Sequence, residues 1–116
     1  MTIEGVATDA GPPEKILKYL DALADLARER NRGSLGQSNL SWLARRDVSA
    51  SQESETIKKS KVERRNRTWH DGNDQRFFND HLKPAEATSP DRCVRIYFDA
   101  DEDSDKIIVG WIGRHP

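Results

Sequence analysis

The fold turns on residues 93–112: Cys93-Val-Arg-Ile-Tyr-Phe98, then Asp99-Ala-Asp-Glu-Asp-Ser-Asp105, then Lys106-Ile-Ile-Val-Gly-Trp-Ile112. Two runs of β-branched and aromatic residues flank a seven-residue acidic loop, which predicts a pair of antiparallel strands. Side chains alternate along a strand, so Val94, Ile96 and Phe98 share one face while Cys93, Arg95 and Tyr97 share the other. The first set is the expected core face. The second then presents Arg95 and Tyr97 outward.

Upstream, Arg67-Thr-Trp-His70 and Gln75-Arg-Phe-Phe78 flank Asp71-Gly72, a turn pair that between β-prone runs signals a hairpin. The second run extends through His81 and Lys83 to Pro84, and residues 84–92 form a Pro/Ser/Thr-rich loop. Toward the N-terminus, Ile16, Tyr19, Leu20, Leu23, Leu26 and Ala27 recur at three and four, one face of a helix. Pro12 and Pro13 suit its first turn, and Gly33 suits its stop. Leu40, Trp42 and Leu43 predict one or two further helical turns. Ser49 with Gln52 reads as a capping box opening a third helix that runs into Lys58–Arg65. The expected fold class is α+β, with N-terminal helices followed by a four-stranded antiparallel β-meander. Residues 1–12 form an arm, and 13–116 a single domain with a helical part (13–64) and a meander (65–116).

Composition bounds the function. The 116 residues carry 19 basic and 20 acidic side chains, with 34% hydrophobic and 34% charged. Leu, Ile, Val and Phe together number 23, so the core is small and the solvated stretches around it are long. No apolar run approaches the ~20 residues that span a bilayer, so no membrane role is expected. Met1–Gly11 has neither a basic start nor an apolar stretch, and no secretory leader is expected. One Cys builds no internal disulfide, and the expected location is the cytoplasm.

The near-neutral total hides one concentrated stretch. Residues 58–67, KKSKVERRNR, hold six basic side chains and one acidic, whereas the segments on either side are net acidic. Lys and Arg neutralise phosphates and aromatics stack on unpaired bases. Lys58, Lys59, Lys61, Arg64, Arg65, Arg67 and Trp69 are accordingly the candidate nucleic-acid-binding residues. The competing reading is a solvated helix end whose charges complement the helix dipole.

On the strands, Arg95 and Tyr97 face outward together, with His81 and Lys83 on a neighbouring strand and Arg114 and His115 at the chain's end. A sheet face with Arg, Lys, Tyr and His supplies the groups for metal-free RNA cleavage: a base and acid near the 2′-OH and leaving oxygen, and Arg on the phosphate. The plainer reading is the polar outer face of a one-sided sheet. No cofactor is expected. The loop DADEDSD has the opening spacing of a calcium loop, but Ser104 and Gly110 stand where an EF-hand needs Gly and an acidic ligand. His70, His81, His115 and Cys93 lack the spacing of a zinc site, so no metal is expected. Nor is there a G-x-S-x-G, a P-loop or a dinucleotide fingerprint. Asn39–Lys59 carries a helix-turn-helix-like run, without the turn Gly and with Glu53 and Glu55 near the start of its second helix.

The C-terminal half, Phe77-Phe-Asn-Asp-His-Leu-Lys83 followed by Arg95-Ile-Tyr-Phe98 and Ile107-Ile-Val-Gly-Trp-Ile-Gly-Arg-His115, resembles the closing strands of small RelE/ParE-type toxins. The resemblance covers about the last forty residues. It implies an antiparallel sheet packed by helices, an antitoxin partner and, for the RelE branch, cleavage of mRNA on the ribosome without metal. Lys83, Arg95, Tyr97, Arg114 and His115 are the catalytic candidates it implies. ParE-like members act on a protein target, so fold alone does not fix the activity. The leading expectation is a small RNA-binding protein with toxin-like endoribonuclease activity. The alternatives are a non-enzymatic protein–protein interaction module and a DNA-binding helix-turn-helix regulator.

Overall fold

The computed structural model describes residues 13–33, 35–71, 74–85, 94–101 and 106–114. The chain runs α1 (Pro13–Asn31), α2 (Asn39–Ala44), β1 (Ala50–Gln52), α3 (Glu55–Lys59), α4 (Lys61–Asn66), β2 (Thr68–Asp71), β3 (Asp74–Phe77), β4 (Asp80–Ala85), β5 (Val94–Ala100) and β6 (Ile107–Arg114). It is an α+β fold with antiparallel strands, as the sequence leads one to expect. The expected arm 1–12, residues 102–105 of the expected acidic loop 99–105 and most of the loop at 84–92 lie outside the described residues, as do Cys93 and His115; Asp99 and Ala100 of that expected loop belong to β5.

The first helix follows its apolar spacing. Ile16, Tyr19, Leu20, Leu23 and Leu26 are all buried, and Glu14 and Arg28 complement the dipole at opposite ends. Gly33, at φ 70, closes it in the left-handed region that a side chain would strain. α2 adds Trp42 and Leu43, and this layer packs on Leu82, Val94, Ile96, Phe98 and Ile112 of the sheet. Of those sheet residues, Val94, Ile96 and Phe98 are the three that alternation assigned to the core, and Leu82 and Ile112 join them.

Strand arrangement departs from a meander. β4, β5 and β6 pair in chain order, but the fourth strand of that sheet is β1, giving the order β1-β4-β5-β6. β2 and β3 form a separate hairpin, Thr68 opposite Phe77 and His70 opposite Gln75. The run from Gln75 to Pro84 is broken at Phe78-Asn79. Phe78 donates its N–H to Arg67 O at 2.9 Å, and Asn79 O accepts from Glu53 N at 3.0 Å, so the backbone there serves two other segments. The hairpin is thereby released to fold over the sheet's second face. There Trp69 stacks on Trp111 at 5.9 Å between centroids and meets Phe78 and Tyr97 edge-on.

The expected third helix is replaced by strand, helix and helix. Residues 50–52 pair with Asp80–Leu82, and the helical stretch is cut at Ser60, an extended residue at φ −82, ψ 122. Ser60 ends α3 and caps α4 at once, its Oγ accepting from Glu63 N at 3.3 Å. Ser60-Lys-Val-Glu63 fits the capping box better than Ser49-Ala-Ser-Gln52 does, since an ionised Glu at the third position also answers the dipole. Because a strand follows α2, the two-helix unit expected of a helix-turn-helix does not form at Asn39–Lys59. Asp47, at φ 60, closes the turn after α2 and donates its N–H to Ala44 O at 3.2 Å. Among the described residues no helix is long and apolar enough to cross a membrane.

Candidate functional site

Among the described residues, the chemically densest place is buried. Glu53 follows β1, Arg67 ends α4, His81 lies on β4 and Tyr97 on β5, and all four side chains meet between the sheet and the elements that cover its second face. They converge on one atom, Glu53 Oε1. Arg67 Nε lies 3.2 Å from it, His81 Nδ1 also 3.2 Å, and the Tyr97 hydroxyl donates to it. Arg67 Nε also donates to the Tyr97 hydroxyl at 3.3 Å, and its Nη1 reaches Glu63 Oε2 at 2.7 Å and Glu63 O at 3.0 Å. The His81 approach is close in distance but off the line of a full hydrogen bond.

The electrostatics follow from these contacts. Burial by itself would raise the Glu53 carboxyl. The contacts from His81 and Tyr97 and the Arg67 charge outweigh it and hold the group at about 2. The Tyr97 hydroxyl is pushed well above its ordinary value, first by burial and then by the Glu53 carboxylate it serves. Arg67 loses some basicity to burial and regains more from Tyr97, Glu63 and Glu53, so its charge is fixed. A carboxylate held this low is a poor proton acceptor at neutral pH. The network is therefore suited to pinning β1, α4, β4 and β5 together, not to moving protons.

Two sequence candidates are corrected by this geometry. Tyr97 is fully buried and does not face outward, because the hairpin covers the face that a one-sided sheet would leave in water. Arg67 is equally buried and spends its guanidinium on Glu53, Glu63 and Tyr97, so it is not part of a surface that tracks phosphates. Trp69 is half-buried and engaged by Trp111, Phe78 and Tyr97, an environment unlike the open stacking platform expected of it.

Lys83 and Arg95 are half-buried on adjacent strands, and Arg95 Nη1 donates to Val94 O at 2.9 Å. Arg114 ends β6 opposite Val94, and His115 lies outside the described residues. Of the five catalytic candidates, then, Tyr97 is drawn into the core network and Lys83 and Arg95 stay near the surface. Among the described residues no group of three His, Cys, Asp or Glu side chains is placed to hold a metal ion.

The remaining basic candidates do share a surface. α3 and α4 bury no residue, and Lys59, Lys61, Arg64 and Arg65 are exposed along them with Val62 beside them. Lys58 is pinned lightly by Glu55 at 3.4 Å. The Arg64 guanidinium lies 4.1 Å from the centre of the Phe77 ring, which carries the ridge onto the hairpin. Sequence reasoning missed Glu53 and Glu63 as the acids that take Arg67 out of this ridge. Spacing gave the signal only for Glu63, four residues before Arg67 on a helical run.

On the helix side of the sheet lies an open cleft of about 490 Å³, lined by Arg30, Gln37, Ser38, Asn39, Leu40, Gln52 and Asp80. None of its residues was a site candidate in the sequence, where Leu40 and Gln52 carried only helix signals, since they come from four separate elements and the loops between them. No family model, curated protein or solved structure matches the chain.

Proposed function

We propose that this chain binds RNA through the ridge formed by α3 and α4. The observation that supports the reading is the exposure of Lys59, Lys61, Arg64 and Arg65 on two helices that contribute nothing to the core, beside a Phe77–Arg64 stack. Helices of five and six residues are too short to be stable alone. Here they are held by Ser54 and Ser60 caps and by Arg67 below, which leaves the basic side chains to solvent. Lys and Arg at this density release counterions from a polyphosphate, and that is a sequence-independent source of affinity.

The test is fluorescence anisotropy of the full chain with a labelled single-stranded RNA over a range of salt. For single strands the logarithmic salt slope is about 0.7 per phosphate neutralised. Replacing Lys59, Lys61, Arg64 and Arg65 together by Gln is expected to lower the slope by about 3 and the affinity by orders of magnitude. Salt-insensitive binding, or none at low salt, sinks the reading in favour of a protein-interaction module. Toxin-like cleavage is read from the same mixtures by electrophoresis. There Arg95→Ala and Lys83→Ala are the informative variants, since Tyr97→Phe also disturbs the core.

A further inference from the structure

The 490 Å³ cleft beside the ridge has the features of a ligand site that the ridge itself lacks: concavity, an apolar wall and polar groups of both kinds converging from different elements. Its floor is the β1–β4 pair, where Gln52 stands directly opposite Asp80. Its walls are the end of α1, which brings Arg30, and the start of α2, which brings Asn39 and Leu40. Arg30 Nη1 donates to Asn39 Oδ1 at 2.9 Å, which fixes the guanidinium plane at the rim. Lys58 of α3 acts on Asp80 electrostatically, so the cleft adjoins the basic ridge.

The chemistry of the lining selects one base. A carboxylate offers two acceptors side by side, and guanine alone among the RNA bases presents two adjacent donors, N1–H and the 2-amino group, on its pairing edge. Uracil sets N3–H between two carbonyls that a carboxylate repels, and adenine and cytosine each pair a donor with an acceptor. An arginine fork complements the O6/N7 edge of guanine. Leu40 supplies an apolar surface on the wall. We infer that this cleft binds a guanine base, with Asp80 accepting from N1–H and the 2-amino group, and Arg30 donating to the O6/N7 edge.

The state of Asp80 in the unliganded protein agrees with this role. Burial, then the neighbouring Asp99 carboxylate, raises its carboxyl above the ordinary value, and Gln52, His81 and Lys58 only partly offset that. Gln52 already supplies one side-chain donor to this carboxylate, and a ligand that brings two N–H groups adds to it in a setting that still disfavours the charge. Glu53, on the opposite side of β1, is saturated by comparison.

The guanine site rests on the RNA reading only for its source. The base comes either from a single-stranded RNA lying on the ridge or from a free nucleotide, and two arms of one experiment separate these. The first arm measures binding of guanosine monophosphate alone to the full chain by calorimetry, against the adenosine and inosine counterparts. The second compares ridge-bound oligonucleotides with guanine or inosine at a single position.

Guanine is expected to be favoured over inosine by about tenfold, the loss of one half of a bidentate contact. Asp80→Asn is expected to abolish that preference while leaving the salt slope on RNA unchanged. This variant keeps the shape of the side chain and removes a charge that burial disfavours, so it does not threaten the fold. Arg30→Gln serves as the second variant, with loss of guanine affinity from the opposite wall.

Equal affinity for guanine and inosine in both arms overturns the inference and leaves the RNA reading intact. A nucleotide bound with the Asp80-dependent preference, by a chain that ignores RNA, upholds the site and removes the ridge as its source. A guanine preference that survives Asp80→Asn assigns the recognition elsewhere and also overturns the inference.

Discussion

Oε1 of Glu53 lies 3.2 Å from Nε of Arg67, and the two side chains retain only 4% and 0% of their exposure. A pair this deep is not in itself evidence of added stability, since the desolvation of two ions offsets much of their attraction. What matters is the consequence of breaking it. Glu53 and Arg67 come from opposite ends of the α3–α4 segment, so their contact closes that segment into a loop clamped onto the sheet.

Arg67→Met is expected to cost about 3–5 kcal/mol, because it leaves the Glu53 carboxylate buried without its counter-charge. Combining it with Glu53→Gln is expected to cost less than the sum of the two single changes, since the double variant buries no orphaned ion. Urea unfolding of the four proteins measures both. Strict additivity would show that the two side chains are energetically independent despite their contact.

Acid stability follows from the same carboxyl. Glu53 sits at about 2 in the fold against an ordinary 4.5. A group depressed on folding stabilises above its unfolded value, and the stabilisation is lost as the pH falls from 4.5 toward 2. The full effect is on the order of 3 kcal/mol. Unfolding free energy measured from pH 6 downward is expected to fall across that window, and the fall is expected to be shallower in Glu53→Gln. Identical acid limbs in the two proteins would remove Glu53 as the cause.

Tyr97 provides the alkaline counterpart. Burial and the Glu53 carboxylate raise its hydroxyl above the ordinary value of 10.0. A raised group stabilises below its unfolded value, and the stabilisation is lost as the pH climbs from 10.0 toward the folded value. In a Tyr19→Phe background Tyr97 is the only tyrosine, since the chain has two. Tyrosinate absorbance is then expected to stay absent above pH 10 while the circular dichroism is native, and to emerge together with unfolding. Ionisation at the ordinary value in a folded chain would place this hydroxyl in water.

Much of the helix-side core was legible from pattern alone. The three-and-four spacing of Ile16 to Leu26 and the alternation of Val94, Ile96 and Phe98 name the two surfaces that pack together. The second face was not legible, for a physical reason. Alternation says that Tyr97 and His81 lie opposite the core, but not whether water or another element meets them there. The Asp71-Gly72 hairpin is visible in sequence, yet its attachment depends on backbone bonds at Phe78 and Asn79, made to residues 11 and 26 positions earlier in the chain. Arg67 shows the same limit at the site. In sequence it ends a basic run, and only the fold brings Glu53 and Tyr97 to it. Lys59, Lys61 and Arg65 were legible as exposed cations because the apolar residues near them, Ile57 and Val62, are too few to make a buried face.

The last prediction concerns how the hairpin is seated. Gly110 is the extra residue of a bulge in β6, between Val109 opposite Phe98 and Trp111 opposite Tyr97. A Cβ there would lie 2.8 Å from Phe78 Cζ and 2.9 Å from Trp69 Cε3. Phe78 is 1% exposed and Trp69 is stacked on Trp111, so neither ring can swing clear without unseating the hairpin. Gly110→Ala is therefore expected to cost about 1–3 kcal/mol. It should also alter the near-ultraviolet circular dichroism of the coupled tryptophans. Shortening the obstructing ring by Phe78→Leu in the same chain should recover part of that loss. A Gly110→Ala protein with native spectrum and native stability would mean that the hairpin does not rest on β6 at this point, and the enclosure of Tyr97 would need another cause.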